Sequence, residues 1–288
     1  MSKLFSLIQY VLPHHFLSRL VGILAEGKFA KNILIGLFIR KYKVDLSEAQ
    51  NEVIEDYQNF NAFFIRKLKE NARPISDNPS IIISPADGKL VAAGKIKGTQ
   101  LIQAKNHYFS SQDLLGGDNT LADTFINGNF VTVYLSPRDY HRVHMPLKGK
   151  LLKTIHIPGR LFSVGDVTSS NIPNLFARNE RLVCVFETNR GLCCLILVGA
   201  MIVGSIRTVW PMGTNRSHSA TKIQRIDYTS QEMQVNLEKG EEVGHFELGS
   251  TVIVLFEAGL LEFNSDILVN TPIKMGESLG RIVDKGNH

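Results

Sequence analysis

Three short segments place chemically capable side chains on turns beside apolar runs. Ser84-Pro85-Ala86-Asp87-Gly88 sets a carboxylate on a Pro/Gly turn directly after Ile81-Ile82-Ile83. Tyr140-His141-Arg142-Val143-His144-Met145-Pro146 carries two imidazoles three residues apart, after an apolar run that ends at Leu135. Phe246-Glu247-Leu248-Gly249-Ser250-Thr251 leads into Val252-Ile253-Val254-Leu255-Phe256. A carboxylate, an imidazole and a hydroxyl are the components of an activated nucleophile, in which the base takes the hydroxyl's proton and the acid orients the base. Each segment also has a plainer reading. A turn Asp commonly bonds its own backbone, and Gly-Ser commonly opens a strand at a bulge. The spacing of His141 and His144 also suits two metal ligands, with His156 downstream as a third, although no HExxH or Cys/His cluster accompanies them. A histidine beside Arg142 also suits a phosphate, for which a guanidinium is a planar donor fork.

The elements that must position these groups change character along the chain. Asp45-Leu46-Ser47-Glu48 reads as a helix cap, and Val53, Ile54, Tyr57, Phe60, Phe64 and Leu68 extend it as a helical stripe to about Lys69. Arg73-Pro74 ends that part. Beyond it, short apolar runs punctuated by glycine read as strands at 81–83, 89–92, 130–135, 151–155, 182–186, 192–198, 251–256 and 268–269, with Asn189-Arg190-Gly191 as a hairpin turn. The expected class is α+β: an N-terminal helical region, 1–72, on a mainly antiparallel β domain, 73–288. At 288 residues and 44% hydrophobic content the chain is long and apolar enough for a full core.

The net charge of +5 is unevenly distributed. Residues 1–43 hold seven basic side chains and one acidic, +6, so the remaining 245 residues sum to −1. A nucleic-acid reader would spread its cations through a domain, and this chain does not. The basic segment is also apolar at helical spacing (Leu4, Leu7, Ile8, Val11, Leu12, then Phe16, Leu17, Leu20, Val21, Leu24), with a second stretch from Ile33 to Ile39. Neither reaches the ~18 apolar residues of a spanning helix, and a signal peptide is poorly matched. A helical segment lying on an anionic membrane surface fits better than an ordinary core helix. Cys184, Cys193 and Cys194 sit in apolar runs, odd in number and without CxxC spacing, as buried reduced thiols do; the cytosolic side is the expected compartment.

Five segments in order resemble the phosphatidylserine decarboxylase family of bacterial type. They are Phe63-Phe64-Ile65-Arg66-Lys67-Leu68 with Ala72-Arg73-Pro74-Ile75, the Asp87 turn, the Tyr140 to Pro146 segment, Ile157-Pro158-Gly159-Arg160-Leu161-Phe162-Ser163-Val164, and Leu248-Gly249-Ser250-Thr251. The resemblance runs nearly the full chain. It implies a decarboxylase that converts phosphatidylserine to phosphatidylethanolamine, made as a precursor that cleaves itself between Gly249 and Ser250 into chains 1–249 and 250–288. The two products remain together as a heterodimer, and a homo-oligomer is compatible with the sequence. The resemblance further implies that Asp87 and His144 activate Ser250, that the resulting ester loses the Ser250 Cα proton, and that the dehydroalanine end hydrolyses to a pyruvoyl group and ammonia. This pyruvate-derived cofactor forms a Schiff base with the substrate amine and serves as electron sink. No metal is called for. His141 is the candidate proton donor or phosphate contact. The implied location is the cell membrane, peripheral, on the cytoplasmic side, because a two-tailed lipid stays in the bilayer. Two rivals come from other classes: a metal-dependent hydrolase using His141 and His144, and a biotin or lipoyl carrier with Lys274 on the turn Ile273-Lys274-Met275-Gly276-Glu277.

Overall fold

The strand-forming runs 130–135, 192–198 and 251–256 are apolar at nearly every position rather than alternately, with Thr132, Tyr134 and Thr251 the exceptions, the pattern of a sheet covered on both faces. The computed structural model describes residues 9, 10, 14, 21, 22, 25–27, 30–104, 107–200, 206–211, 221–247 and 250–283. In it these runs become β5 (Asn129–Leu135), β9 (Gly191–Gly199) and β14 (Ser250–Phe256). They lie in a large antiparallel sheet with β2 (Gly88–Lys95), β7 (Gly149–Ile157), β8 (Arg181–Thr188), β11 (Gln224–Asp227) and β16 (Thr271–Ile273), in the order β11-β7-β8-β9-β14-β5-β2-β16. The short β12 (Asn236–Leu237) adds to β7.

Strand alternation divides the side chains between two cores. Val252, Val254, Leu195, Leu197, Val131 and Val133 enter one, and Ile253, Leu255, Ile196, Val198 and Phe130 enter the other. The first core is closed by two three-stranded sheets. One has β17 (Ser278–Ile282) between β1 (Ile81–Ile83) and β15 (Leu261–Phe263); the other has β13 (Glu242–Phe246) between β10 (Ile206–Thr208) and β6 (Arg142–His144). The second core is closed by the hairpin β3 (Gln100–Ala104) and β4 (His107–Ser110) and by short helical turns that contribute Leu114, Leu121 and Leu175. The expected mainly antiparallel α+β class is therefore observed. Asn189 and Arg190 form the β8–β9 turn as expected. Cys184, Cys193 and Cys194 are buried, with no disulfide among them.

Two expectations are corrected. The helix over 45–69 does not form. Asp45 accepts the Ser47 N–H at 2.8 Å in a local turn, and residues 48–50 pair with 67–69 through Gln50 N to Lys67 O (2.8 Å) and Lys69 N to Glu48 O (2.9 Å). What survives is a single turn at Ile54–Asp56 and a five-residue helix, Phe60–Phe64, started by the Asn59 side chain on the Ala62 N–H. The aromatic residues that looked like one helical stripe instead pack against α1 (Lys31–Tyr42), around Ile35, Val44, Tyr57, Phe63 and Phe64. Tertiary packing has overridden a local periodicity. Leu268 and Val269 are not a strand but an exposed turn ahead of β16.

The second apolar stretch, 33–39, does form a helix, α1. Most of the first, from Leu4 to Leu24, lies outside the described residues. Among the described residues no helix is long and apolar enough to cross a membrane.

Candidate active site

Three neighbouring lines of chain pass from the large sheet to a small one at the same place. Ser250, the first residue of β14, stands opposite Leu135 on one side and Gly199 on the other. A few residues earlier, Phe246 at the end of β13 stands opposite Ile206 and donates its N–H to the His141 carbonyl at 3.1 Å. Residues 136–140 thus run between two anchored pairs, Leu135 with Ser250 and His141 with Phe246. Leu248 and Gly249, and with them the expected cleavage site's carbonyl, lie outside the described residues. Ser250 is fully buried, and its Oγ has no hydrogen-bond partner among the described residues. By alternation its side chain shares a face with Val252 and Val254, the face that β6 and β13 cover.

His144 ends β6 with both ring nitrogens engaged. Nδ1 is 2.8 Å from the Gly240 carbonyl, and Nε2 is 3.0 Å from the Tyr140 hydroxyl. A carbonyl only accepts, so Nδ1 carries the hydrogen and Nε2 receives the Tyr140 O–H; the tautomer follows from the partners. Gly240 presents that carbonyl from a left-handed turn, φ 82°, where a Cβ would meet the Ile75 side chain at 2.1 Å. Burial lowers the His144 pKa and Arg142 adds to the lowering, while the Gly240 bond and the charges of Glu242 and Asp87 oppose it. The net effect is a neutral imidazole with a defined lone pair.

The Asp87 turn runs alongside β6, with the His144 N–H on the Pro85 carbonyl at 2.8 Å and the Ile83 N–H on Pro146 O at 3.0 Å. Asp87 nevertheless makes no hydrogen bond to the imidazole. Its carboxylate receives both Nε (2.9 Å) and Nη2 of Arg73, and the Met275 N–H at 2.9 Å. Arg73 also reaches Glu48 at 2.8 Å, and Lys274 pairs with Glu48 at 2.9 Å. Asp87 therefore acts on His144 through its charge, and the orienting hydrogen bond comes from the Gly240 backbone. A cleft of about 310 Å³ opens beside this group, bordered by Asp87, Tyr140, Asp139, Arg73, Arg138 and Lys274.

His141 is fully buried. Its Nδ1 bonds the Asp139 carbonyl at 2.8 Å, which leaves Nε2 unprotonated and without a partner among the described residues, and its ring lies 4.0 Å from that of Phe64. Burial pushes its pKa down to about 3. A phosphate contact finds no support here, because the ring is enclosed and neutral. The neighbouring Arg142 fork is spent on Glu242 (2.8 and 2.7 Å) and on the Ile65 carbonyl. Nor do the histidines gather as ligands. His156 lies on β7 and bonds Glu180 at 3.0 Å. Among the described residues no three His, Cys, Asp or Glu side chains form a group that could hold a metal.

The structure thus brings Asp87 and His144 side by side and sets His141 and Ser250 on the adjoining strand ends. Tyr140 and Arg73 lay inside the motif segments without a role assigned to them. Gly240 carried no signal beyond being a glycine between charged residues.

A family model described as phosphatidylserine decarboxylase matches residues 60–281, and a second, described as PSD, matches residues 4–43. Among similar proteins, a phosphatidylserine decarboxylase proenzyme of Pseudomonas fluorescens is 48% identical over 280 residues, 96% of this chain and 97% of the relative. One of Pseudomonas aeruginosa is 50% identical over 279 residues, 96% of each chain. One of Stutzerimonas stutzeri is 48% identical over 281 residues, 97% of this chain and 94% of the relative.

Proposed function

Because the chain belongs to the phosphatidylserine decarboxylase family, it is a decarboxylase acting on phosphatidylserine, and we propose that it generates its own pyruvoyl group by self-cleavage between Gly249 and Ser250. The observation that carries this reading is the state of Ser250: an enclosed hydroxyl without a partner among the described residues, at the head of a strand that both neighbours clamp, on the face covered by the strand that holds a neutral histidine. That setting suits a residue destined to become a chain end. The new terminus stays fixed, since every residue of β14 is buried and paired on two sides.

In self-cleavage His144 takes the Ser250 proton while Oγ attacks the preceding carbonyl, a contribution on the order of 10²–10⁴-fold. Attack on the adjacent peptide is intramolecular, and positioning is worth an effective molarity of roughly 10⁵ M or more. The Asp87 charge stabilises the imidazolium as it forms, without taking the proton. The products, 1–249 and 250–288, remain a heterodimer because β14 is a central strand of the large sheet. The pyruvoyl group supplies the electron sink that makes loss of carbon dioxide feasible. His141, whose Nε2 has no partner among the described residues, would be the group that passes a solvent-derived proton to the carbon left by the departing carbon dioxide.

We further place the enzyme peripherally on an anionic membrane, cytoplasmic side, with α1 as a contact. Ile35, Phe38, Ile39 and Tyr42 of α1 pack inward, but Ile33, Leu34 and Leu37 stand exposed beside the basic end Arg40, Lys41 and Lys43. A helix apolar on its outer face and basic at one end suits a headgroup region.

Intact mass under denaturing conditions tests the central step. Wild type should yield two fragments and Ser250→Ala one uncleaved chain; two fragments of the same masses from Ser250→Ala would remove Ser250 from its role.

A further inference from the structure

Neither nitrogen of the His144 ring is open. Nδ1 donates to Gly240, and the Nε2 lone pair already holds the Tyr140 hydroxyl. A proton leaving Ser250 reaches Nε2 only if Tyr140 swings aside or passes it on. Swinging aside is costly: Tyr140 is 6% exposed and its ring stacks on the imidazole, centroids 5.7 Å apart at 29°. Tyr140 also belongs to the 136–140 segment, held between Leu135, which pairs with Ser250, and His141, whose carbonyl accepts the Phe246 N–H.

We infer that Tyr140 is the proton relay of self-cleavage, giving its hydroxyl proton to His144 Nε2 as it receives the proton of Ser250 Oγ. This rests on the self-cleavage reading above. The step balances. One O–H bond breaks at Ser250 and one forms at Tyr140; one O–H bond breaks at Tyr140 and one N–H bond forms at His144. The electron pair left on Ser250 Oγ makes the bond to the Gly249 carbonyl carbon. As the peptide C–N bond then breaks, the same path in reverse returns a proton toward the departing Ser250 nitrogen.

The relay has a second consequence. After transfer Nε2–H donates to the Tyr140 oxygen, so the hydrogen bond persists with donor and acceptor exchanged, and a buried imidazolium is never left unpartnered. The charged groups around the ring are Glu242, opposite His144 on β13, Arg142 on its own strand, and Asp87 on the adjoining turn; among the described residues none of them bonds a ring nitrogen. Burial keeps the Tyr140 phenol above its usual pKa, so it remains a donor through the neutral range.

The test follows freshly synthesised precursor by intact mass in mixtures of H₂O and D₂O. A relay moves two protons in one step and bows the plot of rate against deuterium fraction; a straight plot, one proton, overturns the relay. Tyr140→Phe should slow self-cleavage about 10²-fold or more with its thermal midpoint retained, and an unchanged rate in that variant also overturns the relay. If the Phe variant does not fold, the isotope plot of the wild type decides alone. A wild-type chain that stays whole refutes the self-cleavage reading itself, whereas one that splits with a straight plot refutes only the relay.

Discussion

Histidine 141 should make the fold acid-sensitive by a calculable amount. Its imidazole is fully buried, Nε2 has no partner among the described residues, and burial holds its pKa at about 3 against 6.5 for the ordinary side chain. Between those values the unfolded chain binds a proton that the folded chain excludes. Stability is therefore complete above about pH 6.5 and declines as pH falls toward 3. One pKa unit corresponds to about 1.4 kcal/mol, so at pH 5 the loss from this group is roughly 2 kcal/mol. His144 is shifted in the same direction by its own burial and adds to the effect. The measurement is urea unfolding at pH 7.5 and pH 5 in a Ser250→Ala background, so that a single chain unfolds. His141→Gln keeps a donor for the Asp139 carbonyl but removes the titration, so the difference in stability between the two pH values should shrink by about 2 kcal/mol. An identical pH dependence in both proteins would show that His141 is not held neutral by its surroundings, and the account of its bare Nε2 would fail with it.

Two further outcomes are expected. Arg73→Met should cost about 3 kcal/mol or more in the same unfolding assay, because it strands the buried Asp87 carboxylate with the Met275 N–H alone; a loss under 1 kcal/mol would mean that the Arg73–Asp87 pair contributes little. Replacing Ile33 and Leu37, 66% and 57% exposed, by serine should leave the thermal midpoint unchanged. The same change should weaken sedimentation with anionic vesicles on the order of 10²-fold, each side chain losing roughly 1.5 kcal/mol of apolar burial in the lipid; undiminished binding would remove this face of α1 from the contact.

Much of the architecture could be read from local pattern. Runs apolar at nearly every position, such as 192–198 and 251–256, became strands covered on both faces, and Asn189-Arg190-Gly191 became the turn between two of them. These features are local, because strand period and turn chemistry are written over a few residues. Where a local signal misled, a distant partner was responsible. The stripe from Val53 to Leu68 looked helical, but its aromatic residues were spaced to meet α1, and the segment pairs with itself across 48–50 and 67–69.

The site divides in the same way. Residue types and spacing picked out Asp87, His141, His144 and Ser250, because each sits in a short segment whose turn and flanking strand are visible in the chain. Only the folded molecule decided what those groups touch. Gly240 stands ninety-six positions from His144, yet its carbonyl sets the tautomer; Asp87 turned from the imidazole to Arg73 and Met275. A backbone carbonyl has no side-chain signature, and the choice among competing partners for one carboxylate depends on which strands the sheet brings together. Chemistry could be located from the order of residues, but protonation and contact are properties of neighbours in space.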